Sequence, residues 1–279
     1  AMTKDTIPLA GVIGDPISHS LSPRLHGHWL KRHGLRGHYM PLHVNHVDLP
    51  DVLRTLPRMG FVGVNVTLPH KELVLSLADT VTDRAALIGA ANTLTFTANG
   101  QIQADNTDGM GFLSNIRQNL PAWTASAGPA LVLGSGGAAK AIVSALVSDG
   151  APVVHVANRT RARADGLKEQ FGARVSPTDW THIPELIGDA ALIVNTTSLG
   201  MTGQAPLAID LSRLSPPTIV TDIVYSPLET DLLKEAAARG CETVDGLGML
   251  LHQAVPGFER WFNYTPLVDD DLRNAVLSG

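Results

Sequence analysis

The sequence predicts an α/β protein of two domains, and three observations carry that prediction. Apolar strand-like runs alternate with helix-like ones along most of the chain, the pattern of parallel sheets. A glycine-rich loop near the middle stands between one such strand and one such helix. Just before it, Pro121–Pro129 shifts to Ala, Ser, Gly and Pro, the composition of a linker or loop. A chain of 279 residues has room for two domains of ordinary size and a substantial core.

Taken in order, Leu9–Gly14 reads as the first strand and Pro23–His33 as a helix closed by Gly34. Ser22 before Pro23 has the form of an N-cap with Pro at the first helical position. Tyr39–Val44 is a second strand, Leu49–Met59 a helix ending at Gly60, Phe61–Val66 a third strand and Pro69–Ala78 a helix. Asn99-Gly100 between Asn92–Thr97 and Gln101–Asp105 is a hairpin signal. Past the linker, strands are expected at Ala130–Leu133, Val153–Ala157, Ala191–Asn195 and Ile219–Ile223. Ser226-Pro227-Leu228-Glu229 has the form of a capping box that starts a helix running to Arg239. The last expected helix, Met249–Phe262, contains Pro256 and should bend there.

Composition excludes several classes of function. Net charge is −5 with no long Lys/Arg run, so no footprint for nucleic acid or anionic lipid is present. Cys241 is the only cysteine, which rules out an intramolecular disulfide and fits a reducing compartment; cytoplasmic location is the expectation. No apolar run approaches the roughly 20 residues of a membrane span. Ala1-Met2-Thr3-Lys4 lacks a signal-peptide core, and the Ala before Met reads as an appended residue. Seven of the eleven histidines precede residue 50, among them His26, His28, His43 and His46. Neither pair has the i, i+4 spacing of a helical zinc motif, so no metal is expected. Oligomeric state does not follow from sequence.

The central loop is Gly134-Ser135-Gly136-Gly137-Ala138-Ala139, between the run Ala130–Leu133 and the apolar helix Ile142–Val147. Strand, glycine loop and helix in that order form the dinucleotide fingerprint of a Rossmann-like domain. Glycine permits the tight turn and lets backbone N–H groups approach a pyrophosphate at the helix N-terminus. Ala139 occupies the third glycine position and still allows close packing. An NAD site usually carries Asp or Glu at the end of the next strand. Here that place holds Asn158-Arg159-Thr160-Arg161-Ala162-Arg163. Arg159 and Arg163 suit a 2′-phosphate through charge-assisted, often bidentate contacts, so NADP is favoured.

In the first half, Ser20 and Ser22 place two hydroxyls near one helix start, as caps or as part of an anion site. Asn65 interrupts an apolar strand, and Lys71 is expected in the first helical turn, where a cation opposes the helix dipole. Asp108 reads as an acidic residue of a first turn, and spacing alone does not join it to Lys71.

The motifs supply the join. Gly14-Asp15-Pro16, His19–Pro23, Asn65–Lys71, Gly89–Thr93, Asn106–Gly109, the glycine loop and Asn158-Arg159-Thr160 stand in one series with Asn195–Met201, Asp222–Tyr225 and Asp245–Leu250. This series resembles the shikimate dehydrogenase family, in family order from near the N-terminus to Gln253. The resemblance implies an enzyme acting on a CH–OH group: reversible NADPH-dependent reduction of 3-dehydroshikimate to shikimate, in chorismate and aromatic amino acid biosynthesis. It implies a substrate domain of residues 1–107 and 246–279 with a mainly parallel sheet, a cofactor domain of residues 108–245, and a cleft between them. Ser20 and Ser22 would bind the substrate carboxylate. Asn65, Thr67, Asn92 and Gln253 would hold ring hydroxyls, and Tyr225 would close the site. Lys71 and Asp108 would be the catalytic pair. Gly134, Ser135, Gly136, Gly137, Ala138, Asn158, Arg159, Thr160, Arg163, Thr196, Thr197, Ser198, Gly246 and Met249 would contact NADP.

Hydride delivery to a carbonyl carbon leaves an alkoxide that needs a proton or a cation. A free lysine, with pKa roughly 10.4, suits that task as an acid in reduction. Asp108 orients Lys71 or shares its proton; the sequence does not separate the two. The alternatives are a quinate/shikimate dehydrogenase with mixed NAD and NADP use, and a non-catalytic metabolite-sensing relative.

Overall fold

The computed structural model describes residues 5–279, and the opening Ala1-Met2-Thr3-Lys4 lies outside them. The chain divides into two compact units, one holding the described residues up to Thr107 with Leu251–Gly279, the other Asp108–Leu250. The first contains β1 (Leu9–Gly14), α1 (Ser22–Arg32), β2 (His38–His43), α2 (Leu49–Thr55), β3 (Phe61–Val66), α3 (Leu73–Leu77), β4 (Thr80–Val81), α4 (Asp83–Ile88), β5 (Thr93–Phe96) and β6 (Ile102–Asp105). Its six strands lie in the order β2-β1-β3-β5-β6-β4. Only β5 runs against the rest, so the sheet is mainly parallel. The expected Asn-Gly hairpin joins β5 and β6, with Gly100 at φ 80°.

The second unit contains α5 (Asp108–Asn119), β7 (Ala130–Leu133), α6 (Gly137–Ser148), β8 (Val154–Asn158), α7 (Arg161–Phe171), β9 (Val175–Asp179), α8 (Ile183–Ile187), β10 (Leu192–Asn195), β11 (Ile219–Asp222), α9 (Asp231–Ala238), β12 (Thr243–Val244) and most of α10 (Leu247–Gln253). Its strands form a fully parallel sheet in the order β12-β11-β10-β7-β8-β9. Renumbered within the unit, that is 3-2-1-4-5-6 read from β9, the Rossmann order. Both faces are covered, which explains why strands such as Ala130–Leu133 are apolar at every position. Ala130, Val132, Val154, Val156, Leu192 and Val194 point into a cluster with Phe112, Ile142 and Leu146. Leu131, Leu133, Ala157 and Ile193 point the other way, against Ile183, Leu232 and Leu233.

The chain returns to the first unit with α11 (Val255–Phe262) and α12 (Asp270–Leu277). In β3, Val64 and Val66 face one apolar cluster with Leu49, Leu53 and Leu94. Gly63 faces the other side, where the Trp261 ring of α11 lies against it and a Cβ would collide. Trp261 Nε1 donates to the Leu94 carbonyl 3.2 Å away. No helix among the described residues is long and apolar enough to cross a membrane.

Several expected boundaries are corrected. Helix α3 starts at Leu73, not Pro69, because the segment first makes a turn that buries His70 and bonds its Nε2 to the Val44 carbonyl at 2.6 Å. Lys71 therefore sits in that turn, two residues ahead of α3. Ser22 is the first residue of α1, not its cap; Ser20 Oγ accepts from the Ser22 N–H at 3.2 Å. Ser226 caps no helix: α9 begins at Asp231, and Thr230 accepts from the Leu233 N–H. The helix from Leu49 tightens into a 3-10 turn over Leu56–Met59, where Pro57 has no N–H to continue the α ladder. The expected bent helix is two helices, with Ala254 between them and Pro256 in the first turn of α11. Beyond the expected elements the chain forms β4, α4, β9, α8, β12 and α12.

Candidate functional site

In the first unit a connected polar network gathers where β3, β5 and β6 meet. The strand alternation that sends Val64 and Val66 into the core turns Asn65 to the opposite face, where it is 6% exposed. Its Oδ1 accepts from the Tyr39 hydroxyl at 2.7 Å, and its Nδ2 donates to the Asn92 carbonyl at 3.2 Å. Asn92 is 4% exposed and held in place: Oδ1 accepts from the Thr107 N–H at 2.9 Å, and Nδ2 donates to Thr107 Oγ1 at 2.9 Å and Gln253 Oε1 at 3.2 Å. Thr107 Oγ1 in turn donates to the Gln253 carbonyl at 2.7 Å. Buried amides so bonded hold one orientation, which suits recognition of hydroxyl groups.

The turns carry the remaining residues. The Thr67 N–H donates to the Ile13 carbonyl at 2.9 Å, placing its side chain over Gly14, where a Cβ would lie 2.5 Å from Thr67 Cγ2. The Lys71 carbonyl accepts from the Ala91 N–H at 2.8 Å, which ties the lysine turn to the Asn92 turn. Ser20 and Ser22 lie at the start of α1, both partly exposed. Thus Asn65, Asn92 and Gln253 join one network, and Lys71 is anchored beside it by its backbone. Thr107 and Tyr39 belong to the same network but were not among the predicted site residues. Thr107 lies inside the Asn106–Gly109 motif, whereas nothing in the local sequence around Tyr39 announces a polar role.

Asp105 secures the end of β6. Burial alone would raise its pKa, but bonds from Arg84, Thr82 and Arg260 hold the carboxyl well below the usual carboxylate range. Arg84 Nη2 and Arg260 Nη2 reach Oδ2 at 2.6 and 3.0 Å.

In the second unit the glycine loop follows β7, next to β10, where the strand order reverses. Ligands of open α/β sheets bind at this switch point. Gly134 has φ 109°, and a Cβ there would sit 2.5 Å from Thr196 Oγ1, so both conformation and space require glycine. Thr196 is drawn in by two bonds to the Leu133 carbonyl, 2.9 Å from N and 2.6 Å from Oγ1. By contrast, a Cβ on Gly136 or Gly137 would meet nothing within 4 Å. That open, exposed stretch at the N-terminus of the 12-residue helix α6 fits a pyrophosphate.

At the end of β8, Asn158 Nδ2 donates to the Thr160 carbonyl at 2.9 Å. The Arg159 guanidinium lies over the Trp180 ring, 5.5 Å from its centroid. Arg161 is paired with Asp165 and Asp179, while Arg159 and Arg163 have no carboxylate partner among the described residues. At the next strand ends, Thr197 N and Oγ1 donate to Asn195 Oδ1 at 3.0 and 2.7 Å. Asn195 Nδ2 donates to Asp222 Oδ1 at 3.0 Å, and Thr230 donates to Asp222 Oδ2 at 2.9 Å. Burial pushes the Asp222 carboxyl up, against these hydrogen bonds. The Tyr225 phenol just beyond is pushed up by burial. Gly246 packs directly on the Asp222–Ile223 backbone, Met249 packs into the apolar cluster under β7, and Asp108 opens α5. Ser135, Ala138 and Ser198 lie in the loops beside these strand ends.

Two family models match the chain: the shikimate dehydrogenase substrate binding domain over residues 12–94, and shikimate / quinate 5-dehydrogenase over residues 117–202. A shikimate dehydrogenase (NADP(+)) of Jannaschia sp. is 87% identical over 278 residues, covering 100% of both chains. Another, from Cereibacter sphaeroides, is 61% identical and covers 98% of each. Among solved structures, shikimate 5-dehydrogenase from Thermus thermophilus in complex with NADP(H) and shikimate is similar at TM-score 0.85, with 36% identity over 98% of this chain and 99% of that one. Quinate dehydrogenase from Corynebacterium glutamicum in complex with NAD is similar at TM-score 0.91, with 33% identity over 99% of this chain and 100% of that one.

Proposed function

The chain belongs to the shikimate dehydrogenase family, and on that premise we propose that it catalyses the reversible NADPH-dependent reduction of 3-dehydroshikimate to shikimate in aromatic amino acid biosynthesis. The observation that carries the reading is its full-length match to NADP-dependent shikimate dehydrogenases. The local chemistry agrees with it. The open glycine stretch ahead of α6 would take the pyrophosphate, with Ser135 and Ala138 beside it. Arg159 and Arg163, uncommitted to carboxylates, would take the 2′-phosphate, with Asn158 and Thr160 shaping that turn. Thr196, Thr197, Ser198, Gly246 and Met249 complete the proposed cofactor contacts. Bound NADPH supplies the hydride.

The chain's own residues do the rest. Ser20 and Ser22 would hold the substrate carboxylate, and Asn65, Thr67, Asn92 and Gln253 its ring hydroxyls, with Tyr225 closing over it. As hydride reaches the carbonyl carbon, charge builds on oxygen, and the Lys71 ammonium would neutralise it by giving up a proton. Asp108 would keep Lys71 charged and oriented; in shikimate oxidation the proton returns to the pair. Cytoplasmic location is part of the same proposal, consistent with the single cysteine. Following NADP+ reduction on addition of shikimate tests the reaction directly. Turnover is the expected result; its absence with both NADP+ and NAD+ would favour a metabolite-binding role without chemistry.

A further inference from the structure

The network around Asn65 extends to two aromatic residues to which no catalytic or binding role has been given. The Tyr39 ring, from β2, lies parallel to the His26 ring of α1, with centroids 4.0 Å apart and 1° between planes. His26 is 0% exposed, and neither ring nitrogen has a hydrogen-bond partner among the described residues. Trp29 packs edge-on against it at 5.7 Å, and Phe258 and Trp261 lie 5.8 and 5.9 Å away. A histidine in such a cage stays neutral, because burial lowers its pKa to about 3. Its ring therefore serves as a flat, immobile support for Tyr39.

Directionality gives the support a purpose. The Asn65 Oδ1 has no hydrogen, so Tyr39 must be the donor in the 2.7 Å bond between them. That bond assigns the amide: the two Nδ2 hydrogens go to the Asn92 carbonyl and Thr93 Oγ1, and Oδ1, which accepts from Tyr39, has a second lone pair with which to accept from a ligand hydroxyl. One phenol thus fixes the amide of a residue proposed for the ring hydroxyls.

We propose that Tyr39, held flat by His26, is a positioning residue for the substrate, acting through the amide of Asn65. The inference rests on the substrate-binding role proposed above for Asn65. Tyr39→Phe retains the stack and removes only the hydroxyl. It is expected to raise KM for shikimate about tenfold, the factor of one lost hydrogen bond to a buried acceptor, while kcat and KM for NADP+ change less than about threefold. In an Asn65→Ala background the same substitution should add nothing further. A merely structural tyrosine would lower Tm without that selective rise in KM. If Asn65→Ala and Ser22→Ala raise KM for shikimate but Tyr39→Phe does not, the positioning role is overturned and the site reading stands. If all three leave KM unchanged, both fall.

Discussion

Asn65 shows how much one residue can reveal through its neighbours in the chain. A polar amide in the run Gly63-Val64-Asn65-Val66 breaks the apolar pattern, and the break coincides with the proposed substrate site. The same logic points to Arg159, which stands where an acidic residue would hold an NAD ribose. Tyr39 and Thr107 were not legible, because their roles come from partners 26 and 146 residues away in the chain. Lys71 was legible for a reason that did not survive: it stands in a turn, and only the motif around it pointed to chemistry. At this scale the proposed roles separate cleanly. Lys71→Ala or Asp108→Asn should lower kcat by about 100-fold or more, in the range of a lost general acid, with KM for shikimate changed only a few-fold. Near-normal kcat in either variant would remove that residue from the chemistry.

Elements were most legible where burial dictates their pattern. Leu9–Gly14 and Phe61–Val66 begin and end where the apolar runs do, because a strand buried on both faces admits little else. Ends set by side-chain caps were less legible. Ser226-Pro227-Leu228-Glu229 and Thr230-Asp231-Leu232-Leu233 both offer a hydroxyl ahead of a helical stretch, and local sequence does not rank them. Tertiary structure chooses Thr230, whose hydroxyl also reaches buried Asp222, so capping α9 and satisfying that carboxylate are one interaction. Short elements such as α8 and β4 carry too few residues for a period to show. Thr230→Ala should cost about 1–3 kcal/mol in urea unfolding, the sum expected for a lost cap and a lost bond to a buried carboxylate, and Thr230→Ser should recover most of it. Equal stability of the Ala variant and the parent protein would deny the cap its double role.

Across the whole molecule, buried histidines set the response to acid. His26 and His252 have pKa values lowered by burial to about 3 and about 4, below the value of about 6.5 in an unfolded chain. Between those limits the unfolded chain binds more protons, so stability is complete above about pH 6.5 and falls as the pH drops toward 4. His26, at 0% exposed, should contribute a slope of about 1.4 kcal/mol per pH unit in that window. Asp105, held below the ordinary carboxylate range, adds a further loss below about pH 4. Urea unfolding at pH 7, 6 and 5 should therefore show a steeper acid loss in the parent protein than in His26→Phe. Parallel curves would mean the caged histidine does not titrate with unfolding.

The central claim concerns cofactor and substrate together, and its most direct test is kcat/KM for shikimate and for quinate, each with NADP+ and with NAD+. The arginines at the end of β8 and the family match predict shikimate with NADP+ as the best of the four pairs, by about tenfold or more over NAD+, the worth of a charge-assisted phosphate contact. Quinate with NAD+ as the best pair would contradict the account.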